Sequence, residues 1–71
     1  MAEFQSGDLV KYVRPHPADA GMVYQVQAVR EDDEGAWVLL VEEAEDNVPV
    51  AEGVYGGFGG WEEAKEFELV Q

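Results

Sequence analysis

The sequence has no cysteine and no threonine, and it has a single serine and a single histidine. Without cysteine, neither a disulfide nor a thiolate zinc site can form, and one histidine excludes a histidine-rich metal site. Nucleophilic catalysis needs a nucleophile with a base in reach, but Ser6 lies near the start of the chain and His16 stands between two prolines in a predicted exposed loop. We therefore expect a non-catalytic protein with no metal and no cofactor.

Basic residues are scarce: four lysines and arginines stand against 16 aspartates and glutamates, which gives a formal net charge of −12. Residues 1–30 carry three acids and three bases, whereas residues 31–71 carry the other 13 acids against Lys65 alone. Such a surface repels phosphate backbones and anionic lipid headgroups. We expect no direct binding to nucleic acid or membrane. A basic protein partner fits the charge, and so does plain solubility or an adaptation to high salt.

Long apolar runs are also missing. No run approaches the roughly 20 residues that span a bilayer, and residues 1–15 lack a basic start followed by an apolar stretch. We expect neither a membrane span nor a signal peptide, and a cytoplasmic location agrees with the lack of cysteine. The hydrophobic content of 46% and aromatic content of 11% predict one folded domain over residues 1–71.

Short alternating and apolar stretches predict four or five strands and no long helix. Gly21 and Gly35 are expected to adopt a positive φ in turns, Val29 breaks an alternation and predicts a bulge, and Glu62–Lys65 predicts one turn of 3₁₀ helix. The predicted strands are Leu9–Val13, Met22–Arg30, Ala36–Glu42 and Phe67–Val70, with Val48–Ala51 open as a short edge strand.

Two segments resemble the opening and the close of SH3-like β-barrels. The opening is Gly7-Asp8-Leu9-Val10, and the close is Gly60-Trp61, a short polar turn and Phe67-Glu68-Leu69-Val70. Residues 21–26, followed by a strand that ends in Glu42-Glu43, are similar to small phage and prophage proteins of this architecture. The resemblance implies an all-β fold: a small SH3-like barrel of four or five antiparallel strands with a one-turn 3₁₀ helix before the last strand.

The chain departs from peptide-binding SH3 domains at two motifs. Val10-Lys11-Tyr12-Val13 replaces their Ala-Leu-Tyr-Asp-Tyr segment, and Glu62–Lys65 replaces their Pro-Ser-Asn-Tyr segment. These departures argue against a groove for polyproline. A likeness of fold also does not carry function.

Large aromatic rings are the second unusual feature, because a barrel of this size cannot bury them all. Trp61 is the expected core tryptophan, while Tyr55 and Phe58 on a glycine-rich arm either form a contact patch or fold back over the barrel end. Acids in loops 31–34 and 42–46 accompany them. The candidate partner-binding residues are Asp32, Asp33, Trp37, Tyr55, Phe58, Glu62, Glu63, Glu66 and Glu68.

The sequence thus predicts a protein–protein interaction module that docks an acidic surface and exposed aromatics onto a basic partner. One alternative is a DNA mimic that inhibits a nucleic-acid-binding protein, with Glu66 and Glu68 as part of a regular charge array along a strand. Another is a small structural subunit of a phage particle or other assembly.

Overall fold

The computed structural model describes residues 4–42, 49–57 and 59–70. They form one sheet of five antiparallel strands in the order β4-β3-β2-β1-β5. The strands are β1 (Leu9–Tyr12), β2 (Tyr24–Asp32), β3 (Gly35–Leu40), β4 (Trp61–Glu63) and β5 (Phe67–Leu69). Two 3₁₀ helices, Pro17–Asp19 and Ala64–Glu66, are the helical elements of the described residues, and none of these residues forms a helix long and apolar enough to cross a membrane.

The predicted all-β class, the higher of the two predicted counts of antiparallel strands (four or five) and the 3₁₀ helix before the last strand are confirmed, but the predicted barrel is wrong. The sheet is open, since β4 and β5 are its two outer strands and do not pair with each other. Each has three residues, and the one-turn helix Ala64–Glu66 connects them by redirecting the chain toward β1. A link this short turns the chain away from β4 before the two outer strands can run side by side.

Several predicted boundaries are shifted. β2 continues through Asp32 because Glu31 and Asp32 pair with Ala36 and Gly35, so the turn between β2 and β3 has only two residues. Gly35 has φ +132° and Gly21 has φ +84°, which confirms both predicted glycine conformations.

Strand β4 lies where the sequence predicts an arm and a helical turn. Glu62 and Glu63 belong to β4 because they pair with β3. The helix therefore begins two residues later than predicted, at Ala64. Of the predicted edge strand Val48–Ala51, Val48 lies outside the described residues. Residues 49–51 do not form a strand; Ala51 makes an isolated bridge to Val54 across a tight turn.

The bulge in β2 lies before Val29 rather than at it. The register of the β2–β3 ladder shifts between Val26 and Ala28, so Gln27 is the extra residue, and Val29 pairs regularly with Val38. A bulge exchanges the two faces of a strand. Even-numbered residues such as Val26 point inward before it, and Arg30 therefore points outward after it.

The core lies on one face of the sheet. Its buried residues are Val10, Tyr24, Val26, Val38, Leu40, Val54, Ala64 and Phe67. Trp61, the expected core tryptophan, is 39% exposed, so that prediction is wrong. It pairs with Leu39, which alternates with the buried Val38 and Leu40, and residues opposite each other share a face.

Gly57 lets the segment after Val54 lie directly against the end of β3. Its N–H donates to the carbonyl of Val41 at 2.9 Å, and a Cβ added there would stand 2.6 Å from the Cβ of Leu40. Leu40 is only 1% exposed and has little room to move. The close approach therefore requires the absence of a side chain.

We expect Gly57→Ala to lower the free energy of unfolding by roughly 1–3 kcal/mol, because the added methyl group overpacks the core against Leu40. Gly60→Ala is the matched control, since a Cβ there meets no atom within 4 Å and the residue has no positive φ. Urea unfolding followed by tryptophan fluorescence measures both. Equal midpoints for the two variants would contradict the close-approach argument.

Candidate functional site

The outer face of strands β2, β3 and β4 brings two tryptophans together. Arg30 lies opposite Trp37, and the neighbouring pairs are Trp37 with Glu63 and Leu39 with Trp61. Cross-strand partners place their side chains on the same side of a sheet, so both indoles lie on the face opposite to the core. We call this surface the tryptophan face; it consists of Arg30, Asp32, Trp37, Trp61 and Glu63.

Arg30 lies against both indoles. Its guanidinium carbon is 5.8 Å from the ring centroid of Trp37 and 5.0 Å from that of Trp61. A guanidinium within about 6 Å of an aromatic face is attracted by roughly 0.5–1 kcal/mol at an exposed site. The guanidinium also lies 3.9 Å from the carboxylate of Asp32. Arg30 therefore lies against both rings while Trp61 remains exposed and Trp37 is half-buried.

Asp32 fixes the indole of Trp37 from the other side. Its Oδ1 accepts a hydrogen bond from Trp37 Nε1 at 3.1 Å and another from the backbone N–H of Glu34 at 2.8 Å. The hydrogen bond from Trp37, followed by the one from Glu34, lowers the pKa of the Asp32 carboxyl below its usual range. At neutral pH the carboxylate is charged, and it joins the β2–β3 turn to the tryptophan face.

Carboxylates surround this face more densely than bases do. Lys65 lies 3.3 Å from Glu63, and Lys11 lies 3.5 Å from Glu68, both as exposed pairs that contribute little to stability. No ion pair within the described residues involves the remaining acids of the end of β2, the β2–β3 turn and the second 3₁₀ helix, which are Glu31, Asp33, Glu34 and Glu66. The surface beside the indoles therefore has a surplus of negative charge.

Glu62 points to the opposite side of β4, toward the core. It lies opposite the buried Val38, and its Oε1 accepts a hydrogen bond from the hydroxyl of Tyr12 at 2.9 Å. Its other oxygen, Oε2, is buried and has no hydrogen-bond partner among the described residues. The Tyr12 ring packs against Phe67, with 4.5 Å between centroids, and against the edge of Tyr24 at 5.8 Å.

This environment keeps two tyrosines protonated. Burial, then the hydrogen bond to Glu62, raises the pKa of Tyr12 well above its usual value. Burial, then the negative charge of Asp19, raises the pKa of Tyr24. The hydrogen bond between Tyr12 and Glu62 lies on the inner face of the sheet. Glu62 therefore does not share a surface with the other acids predicted to bind a partner.

The structure brings only some of the predicted site residues together. Asp32, Trp37 and Glu63 share the tryptophan face, with Asp33 exposed in the adjoining turn. Tyr55 is exposed but lies beside Val23, to which its N–H donates at 2.8 Å. Tyr24, which bridges to Tyr55, lies eight residues from Asp32 along β2, roughly 26 Å at 3.3 Å per residue, and four residues from Ala28, which is level with Trp61 across Leu39.

The other predicted residues are placed elsewhere. Glu66 belongs to the second 3₁₀ helix and Glu68 to β5, so these two acids do not form an array along one strand. Phe58 and loop residues 43–46 lie outside the described residues. Sequence reasoning missed Arg30 as a member of the site and placed Trp61 in the core. The sequence carries no signal for either residue, because β3 is apolar without interruption from Ala36 to Leu40 and only the structure shows which of its faces is covered.

The features considered for catalysis and metal binding are dispersed. His16 is exposed beside the first 3₁₀ helix, and the hydroxyl of Ser6 donates to the backbone carbonyl of Gln27 at 2.9 Å. Among the residues that the structure describes, no three carboxylate or imidazole groups gather closely enough to hold a metal ion. Comparison of the chain with protein-family models, curated proteins and solved structures finds no match.

The raised pKa of Tyr12 predicts a loss of stability in alkali. An unfolded tyrosine titrates near pH 10, so the stabilisation is complete below that pH and is lost as the pH rises through the higher folded value. We expect the urea midpoint of the protein to stay level up to about pH 10 and to fall above it, and to fall less in Tyr12→Phe. Tyr55→Phe, which removes an exposed hydroxyl, is the control. An equal fall in Tyr12→Phe and the wild-type protein would contradict this account.

Proposed function

We propose that this chain is a non-catalytic protein–protein interaction module whose tryptophan face docks onto a basic partner. The observation that carries the proposal is the pair of indoles held by Arg30 on a solvent-facing sheet surface, with Trp61 39% exposed. Tryptophan is enriched among the residues that dominate binding energy at interfaces. A rigid strand scaffold also reduces the conformational entropy that such rings lose when a partner binds.

The charge of the protein supports a basic partner. The acids of the β2–β3 turn are exposed next to the indoles, and the whole chain carries −12. A one-signed field of this kind accelerates encounter with a positively charged surface and rejects acidic ones. The apolar rings would then supply affinity after the charges have oriented the partner.

The rings and carboxylates around Arg30 add selectivity to the proposed binding. The guanidinium of Arg30 lies over the indole faces of Trp37 and Trp61 and near Asp32 in the free protein. An arginine or lysine of the partner offers the same chemistry to the exposed parts of the rings and to Glu63. The carboxylates of Asp32 and Glu63 provide the preference for cationic side chains over neutral polar ones.

The SH3-like relationship is part of the same proposal. The five antiparallel strands and the single 3₁₀ turn directly before β5 support it, together with the opening and closing segments of the sequence. The resemblance also carries the expectation of a phage or prophage source and a cytoplasmic location. It does not by itself assign the partner, because small β folds of this type serve many functions.

Two alternatives make different predictions. A DNA mimic must compete with DNA for its target, so a complex that contains target, DNA and this chain together would exclude it. A structural subunit must self-associate, so a monomer at high concentration in sedimentation equilibrium counts against it. The placement of Glu66 in a helix and of Glu68 beside Lys11 gives the DNA-mimic alternative less support than the tryptophan face gives the interaction module.

Affinity capture from a lysate of the source organism tests the proposal. We expect a basic protein to be retained at about 50 mM salt and released at about 500 mM, because screening weakens attraction between exposed charges. Trp61→Ala should weaken binding of that protein about tenfold or more, whereas Tyr55→Ala at the other end of β2 should leave it unchanged.

The two variants form a matched pair, since each removes one exposed aromatic ring. Binding that is insensitive to Trp61→Ala but lost in Tyr55→Ala would move the contact to the glycine-rich arm and refute the tryptophan face. Binding that does not change with salt would refute the electrostatic part.

A further inference from the structure

The free edge of β5 borders an open groove. The groove has a volume of about 1130 Å³ and lies between β5 on one side and the β2–β3 turn on the other. Its apolar lining includes Phe4, Ala36, Ala64, Phe67 and Leu69. Since the sheet does not close, this groove occupies the opening that a sixth strand or a closed barrel would fill.

The backbone of β5 leaves hydrogen-bonding groups facing the groove. The N–H of Val13 donates to the carbonyl of Glu66 at 2.9 Å, and the N–H of Val70 donates to the carbonyl of Leu9 at 2.9 Å. In an antiparallel ladder alternate residues point their backbone groups to the same neighbour, so those of Phe67 and Leu69 point away from β1. The N–H of Phe67 donates to the carbonyl of Ala64.

Three backbone groups are left at this edge. Among the described residues, the carbonyl of Phe67 and both the N–H and the carbonyl of Leu69 have no backbone partner, because β5 pairs only with β1. Such a row is the template that an added strand uses. The edge is short, so pairing alone is weak and side-chain contacts must supply the selectivity.

The charges around the groove identify the kind of segment that fits. Four carboxylates, Glu31, Glu34, Glu63 and Glu68, line it against two lysines, and both lysines already lie beside acids of the same lining. The surplus is negative, so a positively charged segment is complementary and an acidic one is repelled. A second copy of this chain, which also carries −12, is disfavoured on the same ground.

We propose that the groove binds an extended basic segment of another protein, which adds to the sheet as a strand beside β5. Its alternate residues face in two directions: apolar side chains contact Phe67 and Ala64, and lysine or arginine side chains lie near the carboxylates of the rim. The inference rests on the proposed function and gives it a binding mode. Trp37 and Glu63 line the groove and also belong to the tryptophan face, so one partner can contact both.

The test uses a defined probe, the blocked heptapeptide Lys-Val-Lys-Val-Lys-Val-Lys, added to the full chain at low salt. Its control has proline in place of the central valine, which keeps the charge and disrupts strand pairing. We expect the first peptide to bind at least tenfold more tightly than the second and to slow hydrogen exchange of the Leu69 amide at least tenfold. Exchange that is unchanged at Leu69 in the bound protein would overturn the inference.

A pair of variants at one position separates backbone pairing from side-chain contact. Leu69→Pro removes the outward N–H without touching the ladder to β1, and Leu69→Ala keeps that N–H while shortening a side chain that is 43% exposed. We expect Leu69→Pro to weaken peptide binding at least tenfold and Leu69→Ala to change it less than threefold. Equal effects would overturn strand addition. Circular dichroism checks that each variant folds, and if Leu69→Pro does not, the exchange measurement on the wild-type chain decides.

The remaining outcomes also decide between causes. Absence of peptide binding overturns this inference, while capture of a basic protein that depends on Trp61 leaves the proposed function standing. Peptide binding that shifts the indole resonances of Trp37 and Trp61 but not the Leu69 amide also overturns strand addition and leaves the proposed function standing. Dimerisation of the free protein that Leu69→Pro abolishes identifies a second copy as the occupant and overturns the proposal of a basic segment.

Discussion

The bulge at Gln27 determines which residues of β2 lie on the core face of the sheet and which lie on the tryptophan face. It exchanges the inward and outward residues of β2, so that Val26 packs in the core while Arg30 and Asp32 emerge on the opposite side. Without the exchange, Arg30 would lie opposite Ala36 on the inner face of the sheet, where an arginine without a partner carries a large desolvation cost. The bulge therefore lets one strand serve the core in its first half and a charged aromatic surface in its second.

Strand β4 shows the cost of presenting that surface. Because Trp61 and Glu63 face outward, the residue between them must face inward, and that residue is a glutamate. Tyr12 donates to one oxygen of Glu62, but the buried second oxygen has no partner among the described residues. An unsatisfied buried acceptor costs roughly 1–3 kcal/mol, which is a large fraction of the stability of so small a domain. The strand that presents the tryptophan face therefore destabilises the core beneath it.

The sequence predicted the parts of the fold that depend on local pattern. Alternation located β1, β2 and β5, a nearly continuous apolar stretch located β3, and the positive φ of Gly21 and Gly35 followed from their positions in turns. Strand β4 was not predictable, since Trp61–Glu63 has no strand pattern and is held by its ladder with β3. The site was predicted in part: Asp32 and Trp37 were chosen for charge and size. Arg30 and Trp61 join them only through register, which the bulge sets and which composition does not record.

The open sheet connects the tryptophan face to the groove. A closed barrel would pair β4 with β5 and consume the free edge, whereas the one-turn helix Ala64–Glu66 keeps the two outer strands apart and exposes both. Soluble proteins protect such edges by shortening them and by placing charges on or beside them; β5 has three residues, with Glu68 at its centre, Glu66 before it and Lys11 opposite Glu68. These acids repel another copy of the same chain but attract a basic one. In the proposed binding mode, the negative charge that disfavours self-association at the edge also favours a basic partner.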